Sequence, residues 1–188
     1  MDAIRVGVIG SGYWGPNLIR NFVDLPASEV VGVADLRESR LEYVQQTYPG
    51  IRCTTDYQDL FTMGLDAAVV ATPPTTHFRF ARECLERGLH VLVEKPLALS
   101  SREAASLNRL ADARGLTLMV GHTFEYNPAV RALKDIVQNG TLGRIYYIDA
   151  ERVNLGLFQP GLNVVWDLAP HDVSILRYIL GQDPISVC

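Results

Sequence analysis

Cysteine is scarce in this sequence. Cys53, Cys84 and Cys188 form an odd set with no close spacing. An odd number excludes complete pairing, and no two of them have metal-ligand spacing, so reduced thiols in a cytoplasmic protein and no metal are expected. Long hydrophobic runs are missing as well. No apolar stretch approaches the roughly 20 residues that cross a bilayer. The opening stretch, Met1 to Gly10, carries Asp2 where a secretory signal needs a basic flank, so no leader is expected. Basic clusters are also absent. With 17 Lys and Arg against 21 Asp and Glu, the formal net charge is −4. Neither nucleic acid nor an anionic membrane surface is then an expected partner. No internal repeat and no low-complexity tract interrupts the chain.

What is present suits a soluble core: 48% hydrophobic and 20% charged residues over 188 positions. Short apolar, β-branched runs alternate with longer segments of helical period, the pattern of a parallel α/β sheet. Strands are expected at Arg5–Ile9, Val30–Ala34, Ala67–Ala71, His90–Val93 and Thr117–Val120. Each is apolar on both faces, as strands covered by helices on both sides must be. Helices are expected near Gly15–Leu25, Arg37–Thr47, His77–Arg87 and Ser100–Arg114. Ser100 and Glu103 form a capping-box pair, and Gly88 and Gly115 stand where helix ends favour positive φ.

After Val120 the rhythm changes. Asn127-Pro128 opens a helix through Val130, Leu133, Ile136 and Val137. One long strand, Gly143–Val153, is expected next, then a Gly/Pro loop, a helix Leu168–Leu180, and a strand beginning at Pro184–Cys188. Residues 1–120 thus read as one domain and 121–188 as the first part of an α+β domain. Two strands do not make an independently stable sheet, so the sequence is expected to stop inside that second domain.

Gly10-Ser-Gly12-Tyr-Trp-Gly15 fits G-x-G-x-x-G. Its context gives it weight: a strand precedes it, a helix follows, and a second strand ends at Asp35, twenty residues past Gly15. Gly10 permits the tight turn, Gly12 lets the backbone approach a pyrophosphate, and Gly15 allows close helix–strand packing. The helix N-terminus offers unpaired N–H groups to the phosphates. This is the fingerprint of a Rossmann dinucleotide-binding domain, a doubly wound parallel sheet. Asp35 should accept from the adenosine ribose hydroxyls and repel a 2′-phosphate, which favours NAD. Arg37 offers a route to NADP, because an arginine there can bind that phosphate or stack on adenine. Tyr13 and Trp14, inside the loop, are expected to pack over the cofactor or at the domain junction.

Further motifs follow in order: Ala71-Thr-Pro-Pro-Thr-Thr-His77, Glu94-Lys95-Pro96, Gly121-His122, and Asp167-x-x-x-His171. Together with the glycine loop, they make the chain resemble the Gfo/Idh/MocA oxidoreductases along its whole length. The resemblance implies hydride transfer between nicotinamide and a secondary alcohol of a sugar, sugar derivative or cyclitol. It also implies a second domain built on a large open sheet, whose outer face mediates oligomerisation, so a homo-oligomer is expected. It assigns Thr72, Pro73 and His77 to the nicotinamide ribose, adds Glu94 to the cofactor contacts, and places a lysine–aspartate–histidine set on Lys95, Asp167 and His171.

Chemistry supports the same residues independently. Lys95 follows the apolar run Val91-Leu-Val93, at the edge where open α/β sheets bind ligands. Alcohol oxidation needs a base for the hydroxyl proton and a cation for developing alkoxide charge. Lysine supplies the second, and the first if burial lowers its pKa. Asp167 and His171, four apart, share one helix face. Asp167 reads either as an N-cap, with Pro170 the third helical residue, or as a substrate or His171 partner. His171 reads as proton acceptor or as a core histidine satisfied by a carboxylate. One position departs from the family: where many members carry a second acid three residues past the histidine, this chain has Ser174, and the candidate to stand in is Asp172, although a residue adjacent to His171 points to another face of the helix. His122 reads equally as a pocket ligand or a buried structural histidine. Arg152 and Asn154 read as substrate contacts or as an ordinary solvated strand end. Two functions from different classes remain, an NAD-dependent dehydrogenase and a non-catalytic NAD-binding or sensor module, with an inactive fragment of a longer dehydrogenase as a third alternative.

Overall fold

The computed structural model describes residues 2–153 and 163–186. Strands and helices alternate from Ile4 to Val120: β1 Ile4–Ile9, α1 Gly15–Asp24, β2 Ser28–Ala34, α2 Glu38–Thr47, β3 Arg52–Thr54, β4 Ala67–Val70, α3 Pro74–Glu86, β5 His90–Val93, α4 Ser101–Arg114 and β6 Leu118–Val120. All pairings are parallel, and the sheet runs β3-β2-β1-β4-β5-β6. The strand order therefore reverses between β1 and β4, which opens a crevice above their carboxyl ends.

Successive side chains on a strand point to opposite faces, and the core divides accordingly. Val6, Val8, Val33 and Val69 join Ile19 of α1 and Leu41 and Val44 of α2 in one cluster. Ile9, Val31, Ala68, Val70, Val91 and Val93 join Phe80, Ala81, Cys84 and Leu85 of α3 and Leu107 and Ala111 of α4 in the other. Helices thus cover both faces, as the double-sided apolarity of the strands requires. Cys84 is fully buried, and burial pushes its thiol up to about 12, so it is an inert core residue.

Several features depart from the sequence reading. Strand β3 was not anticipated: three residues at the sheet edge, mostly polar, carry no periodic signal. Helix α3 begins at Pro74, not His77, because proline fits the first helical turn, where its missing N–H is unneeded. Residues 143–153 form no strand, and Tyr146, Tyr147 and Val153 stand exposed. An extended segment becomes a strand only when a neighbour completes its hydrogen-bond ladder, and no strand pairs with it among the described residues. Residues 184–186 are likewise not a strand, and Cys188 lies outside the described residues.

The chain divides into two compact units, Met1–Gly121 and His122–Cys188. The second holds a short 3-10 helix Thr123–Tyr126, α5 Pro128–Gln138 and α6 Val164–Leu180. Asn127 caps α5 by accepting from the Ala129 N–H at 2.9 Å. The Lys134 Nζ on α5 lies 3.8 Å from the ring centre of Tyr178 on α6, which joins the two helices. Helix α6 ends on Gly181 at φ +66°.

Candidate active site

The loop after β1 is shaped by what its glycines exclude. Gly10 adopts φ +98°, and a Cβ there would meet the Ala71 carbonyl oxygen at 2.6 Å. A Cβ on Gly15 would meet the Gly10 carbonyl at 2.5 Å. Gly12 differs: only the tip of Arg37 comes near, at 3.7 Å. The fold does not need a bare Cα at Gly12, so the open space serves whatever approaches that backbone. No side chain caps α1 at Trp14; Pro16 has no N–H and the Asn17 N–H donates to the Trp14 carbonyl at 3.0 Å, so the Gly15 N–H is the one this helix start can turn to an anion. Tyr13 and Trp14 are exposed on this loop.

Asp35 follows β2, and its carboxylate is largely buried. One oxygen accepts from the Ser11 N–H at 2.8 Å and the other from the Arg37 N–H at 2.9 Å. The Arg37 Nε lies 3.5 Å away with its side chain mostly in solvent, so the ion pair itself contributes little. Ser11 went unnoticed in the sequence, since a fingerprint leaves that position free. It is fully buried, and its hydroxyl has no hydrogen-bond partner among the described residues. An open cradle at Gly12, the Gly15 N–H and a carboxylate at the loop suit a dinucleotide diphosphate with an unphosphorylated ribose.

The loops after β4 and β5 are tied together. Thr72 is half-buried and receives a bond from the Thr76 hydroxyl at 2.7 Å, while Pro73 is exposed. His77 is 1% exposed, with Nδ1 2.7 Å from the Pro96 carbonyl oxygen and Nε2 2.7 Å from the Thr72 carbonyl oxygen. Burial holds its pKa below the usual histidine value, against the pull of the two carbonyls. Both ring nitrogens thus face protein carbonyl oxygens, one on each loop.

Lys95 is half-buried just past β5, at a cis Lys95-Pro96 bond. Its N–H reaches the Glu94 carboxylate at 3.3 Å. Burial raises the Glu94 pKa, with the Lys95 N–H and its ammonium pulling the other way. The same carboxylate lies on the bare Cα of Gly121, where a Cβ would come within 2.9 Å of it. Gly121 therefore makes room for Glu94, a reason its place in the sequence did not reveal.

In the second unit Asp167 and His171 lie one turn apart on α6, both half-buried. The N-cap is Asn163, which accepts from the Trp166 N–H at 3.0 Å. The capping alternative for Asp167 is thus corrected. Asparagine three residues before Trp166 starts the helix a turn earlier, and Pro170 falls in its interior. The His171 ring packs edge-on against Phe124 at 4.9 Å, and the Arg152 guanidinium covers the same phenyl ring at 5.1 Å. Phe124 is a site neighbour that no motif announced. The Arg152 Nε donates to both Asp172 oxygens at 2.8 Å. Asp172, the acid next to His171, is thus ion-paired with Arg152. Ser174 is buried, its hydroxyl donating to the His171 carbonyl at 3.0 Å. His122 is half-buried, its Nδ1 has no hydrogen-bond partner among the described residues, and burial lowers its pKa. Asn154 lies outside the described residues. No metal-binding cluster occurs among the described residues, and no helix there is long and apolar enough to cross a membrane.

Comparison with known proteins follows the same lines. The model of the GFO/IDH/MocA oxidoreductase family, NAD-binding Rossmann fold, matches residues 4–122. UDP-N-acetylglucosamine 3-dehydrogenase of Acidithiobacillus ferrooxidans is 32% identical over 100% of this chain and 58% of its own length. The scyllo-inositol 2-dehydrogenase (NAD(+)) of Bacillus subtilis is 28% identical, over 98% of this chain and 56% of its own. The crystal structure of myo-inositol 2-dehydrogenase from Lactobacillus plantarum superposes with a TM-score of 0.83 at 25% identity, covering 97% of this chain and 58% of that one. The chain spans just over half the length of these relatives.

Proposed function

Because the chain belongs to the Gfo/Idh/MocA oxidoreductase family, with its NAD-binding Rossmann domain, we propose that it serves NAD-dependent oxidation of a secondary alcohol on a sugar, sugar derivative or cyclitol. One observation carries the reading. In the first unit, the glycine loop, Asp35, Thr72 and Lys95 each lie just past the carboxyl end of a strand of one parallel sheet, around its switch point. That edge is where open α/β sheets bind ligands.

The loop amides and Gly12 hold the pyrophosphate, and Asp35 takes the ribose hydroxyls. Bound NAD supplies the hydride acceptor. Lys95 presents its ammonium to the substrate hydroxyl and stabilises the oxygen as its proton leaves. His171 accepts that proton, with Asp167 orienting substrate or imidazole from the preceding turn. His122 and Arg152 complete the polar contacts to substrate. The relatives' names, a nucleotide sugar and inositols, support a polyol ring as the substrate class. A homo-oligomer in the cytoplasm belongs to the same proposal, supported by the exposed Tyr146, Tyr147, Val165 and Val173.

A panel of pyranoses, inositols and nucleotide sugars, read by formation of reduced nicotinamide, tests the activity. Lys95→Ala and His171→Ala should each lower kcat about a hundredfold or more while NAD affinity holds. Wild-type rates in either variant remove that residue from the reaction. NAD binding with no turnover on any member of the panel favours a sensor module instead.

A further inference from the structure

The reaction needs Lys95 at one place, and Lys95 sits on the turn after β5, outside the strand ladder. The His77 side chain closes on this turn from outside it. It is carried on the first turns of α3, is almost completely buried, and reaches two carbonyls on two different loops at 2.7 Å each. One carbonyl belongs to Thr72, after β4, and the other to Pro96, the residue following Lys95. Burial favours the neutral ring, which carries one N–H; in the tautomer with that proton on Nδ1 the ring donates to the Pro96 carbonyl, while Nε2 lies against the Thr72 carbonyl.

We propose that His77 is a positioning residue for the reaction. Its ring ties the loop after β4 to the Lys95-Pro96 turn, and so sets where the Lys95 ammonium stands relative to the cofactor edge of the sheet. The inference rests on the reading of Lys95 as a reacting-site residue. It assigns His77 no contact with substrate or cofactor. A packing role alone would make His77 replaceable by any side chain that fills the space. A positioning role makes it replaceable only by one that returns a donor to the Pro96 carbonyl.

Three variants of the full chain separate these roles. His77→Leu fills the space without donors. His77→Asn puts an amide nitrogen close to where Nδ1 lies, facing Pro96, whereas His77→Gln puts one close to Nε2, facing Thr72. Circular dichroism and melting first establish that each variant is folded. His77→Leu should then lower kcat about tenfold to a hundredfold, since a displaced catalytic group costs that much, with KM for NAD changed less than about threefold. The amides of Lys95 and Leu97 should exchange faster in the same variant. His77→Asn should restore both more fully than His77→Gln. A folded His77→Leu with wild-type kcat and unchanged exchange at those amides overturns the proposal, as does equal behaviour of Asn, Gln and Leu. Should the wild-type chain oxidise no substrate, the functional reading fails on its own. Positioning is then decided by amide exchange and by the reactivity of the Lys95 amine towards acylation, both expected to change in His77→Leu and to recover in His77→Asn.

Discussion

Gly10, Gly12 and Gly15 share one motif but answer to different constraints. At Gly10 a methyl group faces a positive φ and a carbonyl oxygen at 2.6 Å, so the fold itself objects. At Gly12 a methyl group meets nothing closer than the Arg37 tip, so only a ligand objects. Gly10→Ala should therefore destabilise the chain by at least about 1–2 kcal/mol, the cost of a left-handed residue with a side chain. Gly12→Ala should leave the melting midpoint nearly unchanged and weaken NAD at least about tenfold, or about 1.4 kcal/mol. Melting and NAD titration of the pair check this, and full affinity in Gly12→Ala would remove the pyrophosphate from that face. Glu94 shows a second residue-scale tension. Its pKa is raised in the fold, so the folded state holds its proton more tightly than the unfolded chain. That contribution is present in acid and is lost as pH rises from about 4.5 through the higher folded value. Glu94→Gln should accordingly be more stable than wild type at pH 7, with the advantage vanishing below about pH 4.5. An identical difference at both pH values would show that burial does not strain this carboxylate. At this scale the sequence made the glycines, Asp35 and Lys95 legible because each sits at a fixed offset from a strand end. Ser11, Phe124 and the true position of His77 were not legible, since they act through backbone carbonyls, amides and ring faces that no spacing encodes.

At the scale of elements, runs of apolar side chains located β1, β2, β4, β5 and the short edge strand β6. They missed β3, an edge strand of three residues whose pairing depends on β2 and not on its own composition. They also placed a strand at 143–153, where apolar side chains are present but, among the described residues, no partner ladder is. Helix ends were read best where the cap was chemical, as with Ser100, whose hydroxyl accepts from the Glu103 N–H at 3.2 Å. They were read worst where proline misled, as in α6. Pro170 lacks an N–H, which leaves the Trp166 carbonyl without its helical donor, so α6 depends more than most helices on its cap. Asn163→Ala should cost about 1 kcal/mol and speed amide exchange at Trp166 and Asp167. Unchanged exchange at those amides would mean that packing, not the Asn163 side chain, holds the first turn.

At the scale of the whole chain, burial is distributed unevenly between the two units. Both hydrophobic clusters lie within Met1–Gly121. Among the described residues of His122–Cys188, only Ser174 and Ile179 are buried, and α5 buries none of its side chains. Regions with few buried apolar contacts open at lower free energy than the core, so the second unit should unfold first. The sequence supplies a reporter for each unit, since its two tryptophans are Trp14 and Trp166. In Trp14→Phe the fluorescence follows Trp166, and in Trp166→Phe it follows Trp14. A denaturant titration should give an earlier midpoint for the Trp166 reporter. With NAD held by the Rossmann unit, as proposed, about a hundred times its Kd should stabilise that unit by about 2.7 kcal/mol. The Trp14 reporter should then move to higher denaturant, while the Trp166 midpoint stays near its original value. Coincident midpoints that shift together on adding NAD would show that the two units fold as one cooperative body, with the cofactor's binding energy reaching α6 as fully as the glycine loop.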